Sequence, residues 1–255
     1  MNLFLEGIPQ NFFGGAWYIF SQYFPLFIQG VGVTLLLAVT GTIFGFLLSL
    51  IFASLKIQTV DSRDSSPRKV LKLAGKYFSS IYITFFRGTP MIVQAMIFYY
   101  LFYSWGIRWS PLVAGLFVVT VNTTAYIAEV IRGGIGAIDK GQMEAARSLG
   151  FNRRKAMRLI ILPQAIKNSI PAIGNEFIVN IKDTAVLSVI GVIDLYNATR
   201  AASSVFYRFT EGFFVAALIY LFLTFTSSKI LAYIEKRLEG NKIKPRTPKT
   251  NEVTL

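Results

Sequence analysis

Residues 144–163 read EAARSLGFNRRKAMRLIILP, and this stretch decides the fold. It is polar, basic and helical in pattern. On both sides lie apolar runs long enough to approach or cross a bilayer, so the stretch is a water-facing connection within a membrane protein. Gly150 is placed to end one helix, because a glycine accepts the left-handed conformation found just past a helix C-terminus. Upstream, Asp139 is a good N-cap, with Gln142 three residues on as in a capping box. Asn152 can cap a second short helix, Arg153 to Ile161, which Pro163 is expected to close. The predicted result is a helix–turn–helix knob that presents Glu144, Ala145 and Ala146. Small alanines let a helix sit deep in a partner's groove, and a carboxylate there can pair with an arginine or cap exposed donors.

The bulk numbers agree. Of 255 residues, 53% are hydrophobic and 15% charged, against about 25% charged in soluble domains. The balance indicates one polytopic helix bundle. The net charge of +13 suits anionic lipid headgroups at the cytoplasmic leaflet. It does not point to nucleic acid, because base-reading proteins lack such apolar runs. Cysteine and histidine are both absent. That removes disulfides, thiolate nucleophiles, the commonest metal ligand and the easiest acid–base group at neutral pH. The N-terminus has no basic region followed by a small-residue cleavage site, so no signal peptide is expected.

Five membrane spans are expected. Gly7 to Leu55 carries no charge and is too long for one span. Residues 24–55 contain the first crossing, and residues 7–23 form an interfacial lead-in with Trp17, Tyr18 and Tyr23 as belt aromatics. Gly88–Ile107 and Ser110–Ala128 are the second and third. Ala165–Ile181 is a weaker fourth, interrupted by Lys167 and Glu176, and Gly212–Ser228 is the fifth. Cations concentrate after span one (Lys56, Arg63, Arg68, Lys69, Lys72, Lys76), after span three (from Arg132 to Arg158) and in the tail. The positive-inside rule makes those segments cytoplasmic and the N-terminus external. An odd number of crossings gives the same answer.

Residues 1–23 therefore read as an extracytoplasmic or interfacial segment, 24–238 as the transmembrane domain with the polar loop at 132–163, and 239–255 as a disordered basic cytoplasmic tail. Between spans one and two, Val70, Ala74, Tyr77, Ile81 and Phe85 recur at helical spacing. They belong either to a basic amphipathic helix on the inner leaflet or to the start of span two. Gly41 and Gly45 read as small-residue packing in span one.

Taken together, these motifs resemble the permease subunits of polar amino-acid ABC importers, the histidine/glutamine/glutamate/arginine type. The resemblance runs from about Gly30 to Leu238. It rests on Gly30-Val-Gly-Val-Thr34, Phe86-Arg-Gly-Thr-Pro90, Ala125-Tyr-Ile-Ala-Glu129, Ile131-Arg-Gly-Gly-Ile135, Lys140-Gly-Gln-Met-Glu144-Ala-Ala, Leu162-Pro-Gln-Ala165, Gly174-Asn-Glu-Phe-Ile178 and Lys182-Asp-Thr184. Two departures are small: Val186 where leucine is usual, and a longer connection from Lys56 to Lys69. The resemblance implies an all-α, type I ABC importer transmembrane fold, in which residues 144–163 are the EAA loop. Glu144, Ala145, Ala146 and Gly150 would couple it to an ATPase. Also implied are two copies of that ATPase, a second permease subunit, identical or related, and an extracytoplasmic amino-acid-binding protein. ATP and Mg would be bound by the partner. This chain has no Gly-Lys-Ser/Thr phosphate loop of its own, so it is read as a transporter subunit that binds no cofactor, metal or nucleic acid and hydrolyses nothing alone.

Charges at membrane depth are costly and face a cavity or a partner. Ser169, Glu176, Asn180 and Asp183 fall on one face of span four. That stripe is a candidate pathway lining, with Glu176 meeting the amino group or cationic side chain of the solute. Alternatively Glu176 pairs internally with Lys182, Arg87 or Arg132. Gln94, Asn122, Thr123 and Thr34 are further polar groups at span depth, either hydrogen-bonding a zwitterion or joining helices. Glu129 and Arg132, three residues apart, form a structural pair that anchors the loop. A competing function is an ion-gradient-driven secondary amino-acid transporter with Glu176 and Asp183 as ion sites. No internal repeat supports it, and the loop is left unexplained.

Overall fold

The computed structural model describes residues 9–60 and 64–239. Ten α-helices follow one another: α1 (Phe12–Gln22), α2 (Phe24–Lys56), α3 (Ser66–Gly88), α4 (Met91–Ser104), α5 (Pro111–Gly136), α6 (Lys140–Ser148), α7 (Arg153–Ala156), α8 (Leu162–Asp183), α9 (Leu195–Phe206) and α10 (Phe209–Glu239). A π-helical turn, Met157–Ile161, joins α7 to α8, and a 3-10 segment, Thr184–Ile190, follows α8. No strand occurs among the described residues. The fold is all-α, as expected.

The long helices arise where apolar residues run without interruption. α2, α5 and α10 each have the length and apolarity to cross a bilayer. Their outward faces are apolar: Ile43, Leu47 and Ile51 on α2, and Leu221, Phe222 and Phe225 on α10, are exposed. Their inward faces carry small or polar groups. Gly45 sits where a Cβ would stand 3.0 Å from Thr123, so α2 and α5 approach backbone to backbone. α2 and α5 form the centre, with α8 packed against both. One core cluster gathers around Leu37, Val118, Val119 and Leu187, and another around Ala53, Ile83, Ile127 and Ile131, nearer the end of α5 from which the polar loop leaves.

Three features differ from the simple five-span scheme. The second crossing is not one straight helix: α3 and α4 meet at Thr89–Pro90 with a bend of 112°. Taken as one broken span, the pair is a fourth candidate beside α2, α5 and α10. α3 also resolves the two readings of residues 66–88. Ser79 Oγ donates to the Phe52 carbonyl (2.7 Å), and Tyr82 stacks on Phe52, so its second half climbs the bundle. Val70, Leu71 and Tyr77 on its first half stay exposed beside the cations. α8 has the length of a span, about 33 Å, but its charges keep it below the apolarity of the other four. Finally, α1, expected to be an interfacial lead-in, packs onto the bundle. Ala16 and Ile19 are buried with Val215 of α10, and Arg208 donates to the Pro9 carbonyl (2.8 Å), while Trp17 stays 68% exposed. The predicted tail lies almost wholly in residues 240–255, outside the described ones.

Candidate functional site

Local capping chemistry builds the knob after α5. Asp139 accepts from Gly141 N (2.6 Å) at the start of α6. Gly150 adopts φ 84°, and the chain closes with Gly150 N to Arg147 O (3.0 Å) and Phe151 N to Ala146 O (3.1 Å), the paired bonds of a Schellman cap. Asn152 then accepts from Lys155 N (3.0 Å) and starts α7. Pro163 does not close this second helix as expected. The chain passes through the π turn, where Leu162 N bonds the Met157 carbonyl, five residues back, and continues as α8. A proline inside an α-helix lacks a donor and clashes with the carbonyl four residues earlier. The widened turn just before Pro163 accommodates both defects, so the knob is continuous with α8.

Within the knob, Glu144 and Ala145 are exposed, but Ala146 is only 2% exposed and packs the short helices together. Leu149, which the sequence reading passed over, stands 78% exposed beside Gly150 at the turn. At the root of the knob, Glu129 accepts from Arg132 Nε (2.7 Å), the expected pair, and also from Lys56 Nζ at the end of α2 (2.9 Å). This second partner, 73 residues away in sequence, fastens α2 to α5 where the loop begins.

The polar residues at span depth divide into two groups. The first is sealed inside the bundle. Asn180 donates to Thr42 (2.9 Å) and Thr123 (3.0 Å), joining α8, α2 and α5. Gln94 is fully buried. Its amide nitrogen reaches the carbonyls of Phe86 and Thr89 and the Thr89 hydroxyl, each at 2.9 Å, and its oxygen accepts from Asn122 (2.9 Å). Gln94 and Asn122 thus hold the α3–α4 bend against α5. Thr34 accepts from Leu195 N (3.1 Å) at the head of α9, and Ser169 bonds its own helix at Ala165 O (2.8 Å). All but the Ser169 bond join separate helices. The stripe on α8 therefore does not line a pathway along its length, because α5 and α2 cover Ser169 and Asn180.

The second group stays open. Glu176 is half-buried, Asp183 is exposed, and neither has an ion-pair partner within 4 Å among the described residues. Arg132 is committed to Glu129. Arg87, another of the expected partners, instead rests its guanidinium 5.4 Å from the centre of the Tyr126 ring. Toward the end of α8, then, two carboxylates stand without an ion pair among the described residues. No group of three or more potential metal ligands occurs among the described residues.

An all-helical membrane bundle that carries a capped polar knob between two of its long helices has the architecture of a transport-system permease. Residues 69–240 match the family described as binding-protein-dependent transport system inner membrane component, and the chain belongs to that family. It is 39% identical over 222 residues to a probable glutamine ABC transporter permease of Bacillus subtilis, covering 87% of this chain and 97% of the relative. It is 36% identical over 220 residues to a putative glutamine permease of Rickettsia bellii, covering 86% and 95%. A crystal structure of an amino acid ABC transporter with histidines superposes with a TM-score of 0.76 at 41% identity, covering 85% of this chain and 96% of that one. Family membership sets aside the ion-gradient alternative, which nothing in the structure favours.

Proposed function

We propose that this chain is the membrane-spanning subunit of an ATP-driven importer that carries a polar amino acid across the cytoplasmic membrane of a prokaryote. The reading is carried by the continuity of the α6–α7 knob with α8, which bears Glu176. A push on the knob is thereby delivered to the helix that faces the solute. Two ATPase subunits grip Glu144, Ala145 and Leu149, a second permease subunit completes the pathway, and an extracytoplasmic binding protein delivers the cargo. Five crossings place the N-terminus outside and the C-terminus inside. The working domain is 24–238, with 1–23 as an interfacial lead-in and 239–255 as a tail. Glutamine is the first cargo to test, since relatives named for glutamine transport are among the most similar.

The pathway group is Glu176, with Asp183 beside it. The experiment is uptake into vesicles holding the reconstituted complex. Transport requiring ATP and the binding protein, and blocked by vanadate, is expected. Uptake that ignores ATP and collapses with an ionophore overturns the reading. In the same vesicles Glu176→Gln is expected to lower solute affinity about tenfold or more, the scale of one lost charge-assisted hydrogen bond. Unchanged affinity removes Glu176 from the pathway.

A further inference from the structure

α3 changes character along its length. In its second half Ser79, Ile83 and Phe86 are buried in the bundle. One to three turns earlier the same stripe holds Lys76, Lys72 and Lys69, at the spacing of three and four that stacks side chains on one face. The opposite face does not change: Val70, Tyr77, Ile81 and Phe85 are all exposed, from 42% to 69%. No acidic residue occurs between Ser66 and Gly88. The level of the basic half is fixed by α2. A Cβ on Gly75 would stand 3.0 Å from Leu55, and Lys72 Nζ donates to the Thr59 carbonyl (3.1 Å). This half of α3 therefore lies beside and beyond the end of α2 at Lys56, where the apolar run stops. Lys72 is spent within the chain, on Thr59 and on Asp64. Arg68, Lys69 and Lys76 make no ion pair among the described residues.

Two chemistries have to be met at this one place. The apolar stripe calls for hydrocarbon, and the three unspent cations call for a phosphate or carboxylate. An acidic protein surface would answer the cations. It would not answer a stripe that runs on without a break to Ile81 and Phe85, in the half of α3 that climbs the bundle. A phospholipid with net negative charge answers both, acyl chains against the stripe and phosphate at the level where α2 ends. Long lysine and arginine stems carry their charge around the helix to that level. We propose that the first half of α3 is a binding site for anionic phospholipid. The acyl chains lie along Val70, Tyr77 and Ile81, and Arg68, Lys69 and Lys76 hold the headgroup phosphate.

The test is fluorescence quenching in vesicles that hold the purified, assembled transporter. Y77W puts an indole in the stripe, and the signal is the difference between the Y77W complex and its parent. Subtracting the parent removes Trp17, Trp105, Trp109 and any tryptophan of the partners. The probes are brominated phosphatidylglycerol and brominated phosphatidylcholine with matched chains, since bromine quenches an indole it touches. Competition of each with its unbrominated form gives the relative affinity at this position. Phosphatidylglycerol is expected to bind about fivefold or more tightly, the worth of one cation at a membrane surface, and the preference is expected to shrink with added salt. With R68Q, K69Q and K76Q combined in the Y77W background, the two lipids are expected to bind equally. Equal quenching by both lipids with the cations intact overturns the proposal even if the triple variant does not assemble. So does a preference that survives the triple variant, because cations elsewhere then carry it. Quenching by neither lipid means that a protein covers α3, and overturns it as well. No part of the readout depends on transport, so the outcome stands apart from the function proposed above.

Discussion

The polar side chains at span depth divide into those that join helices and Glu176, proposed for the pathway, and the difference is measurable at single residues. Asn180 spends its amide on Thr42 and Thr123 inside the helix interface. Gln94 spends its own on the end of α3 and on Asn122. Replacing either with leucine leaves buried oxygens without donors, at ~1–3 kcal/mol for each group stranded. Asn180→Leu and Gln94→Leu should therefore lower the unfolding temperature of the purified complex, whereas Glu176→Gln, on a half-exposed edge, should leave it nearly unchanged. A thermal melt that separated the three variants in the opposite order would remove the distinction between joining and pathway residues. From sequence all of these residues looked alike, because a polar residue in an apolar run shows only its depth. Which neighbour takes the hydrogen bond depends on packing between segments far apart in the chain, 138 residues in the case of Thr42 and Asn180. The same limit hid Lys56 as a partner of Glu129, while Arg132, one turn away, was visible.

At the level of elements, what was local was legible. The cap at Asp139, the left-handed Gly150 and the cap at Asn152 depend on a few adjacent residues, and each stands where the spacing put it. The passage through Pro163 was not legible. A proline reads as a stop, and only the π turn ahead of it shows how the helix carries on into α8. The bend between α3 and α4 was equally hidden, since the uncharged run from Gly88 to Ile107 gives no sign of a turn held from the side by Gln94. The continuity has a mechanical consequence. A knob ended by a flexible turn would absorb a push, and one continuous with α8 passes it on. Gly150→Val puts a β-branched side chain at φ 84°, a strain of roughly 1–3 kcal/mol that unwinds the Schellman closure. The expected result is a permease that still inserts but no longer stimulates ATP hydrolysis when loaded binding protein is added. Leu149→Asp, which leaves the backbone alone, should weaken ATPase attachment in pull-down without altering the melt of the permease. Normal attachment and normal stimulation in both variants would mean that the knob is not the coupling element.

For the molecule as a whole, the charge asymmetry makes a claim about direction that the helices alone do not. Family membership places the chain in a membrane, and the long helices give it crossings, but an inverted bundle would have identical packing. The proposed orientation rests on the cations. The stretch after α2, the knob and the end of α10 are rich in lysine and arginine, whereas the other end holds Arg108, Lys182, Arg200 and Arg208. The absence of cysteine allows this to be read out one position at a time, because any thiol introduced is unique. Tyr207, 83% exposed between α9 and α10, and Trp105, 64% exposed after α4, belong to the outer end by this reasoning, and Leu149 to the inner. With a membrane-impermeant maleimide on intact cells stripped of their outer barrier, Tyr207→Cys and Trp105→Cys should label at once. Leu149→Cys should label only after the membrane is opened. Tyr207 holds a left-handed φ of 55° that cysteine tolerates no better, so Trp105→Cys is the cleaner of the two outer probes. Labelling of Leu149→Cys from outside, with Trp105→Cys protected, would reverse the bundle. The knob would then face away from ATP, and with it would go the coupling role of α6 and α7 and the direction of transport, while every packing contact described for the helices would stand.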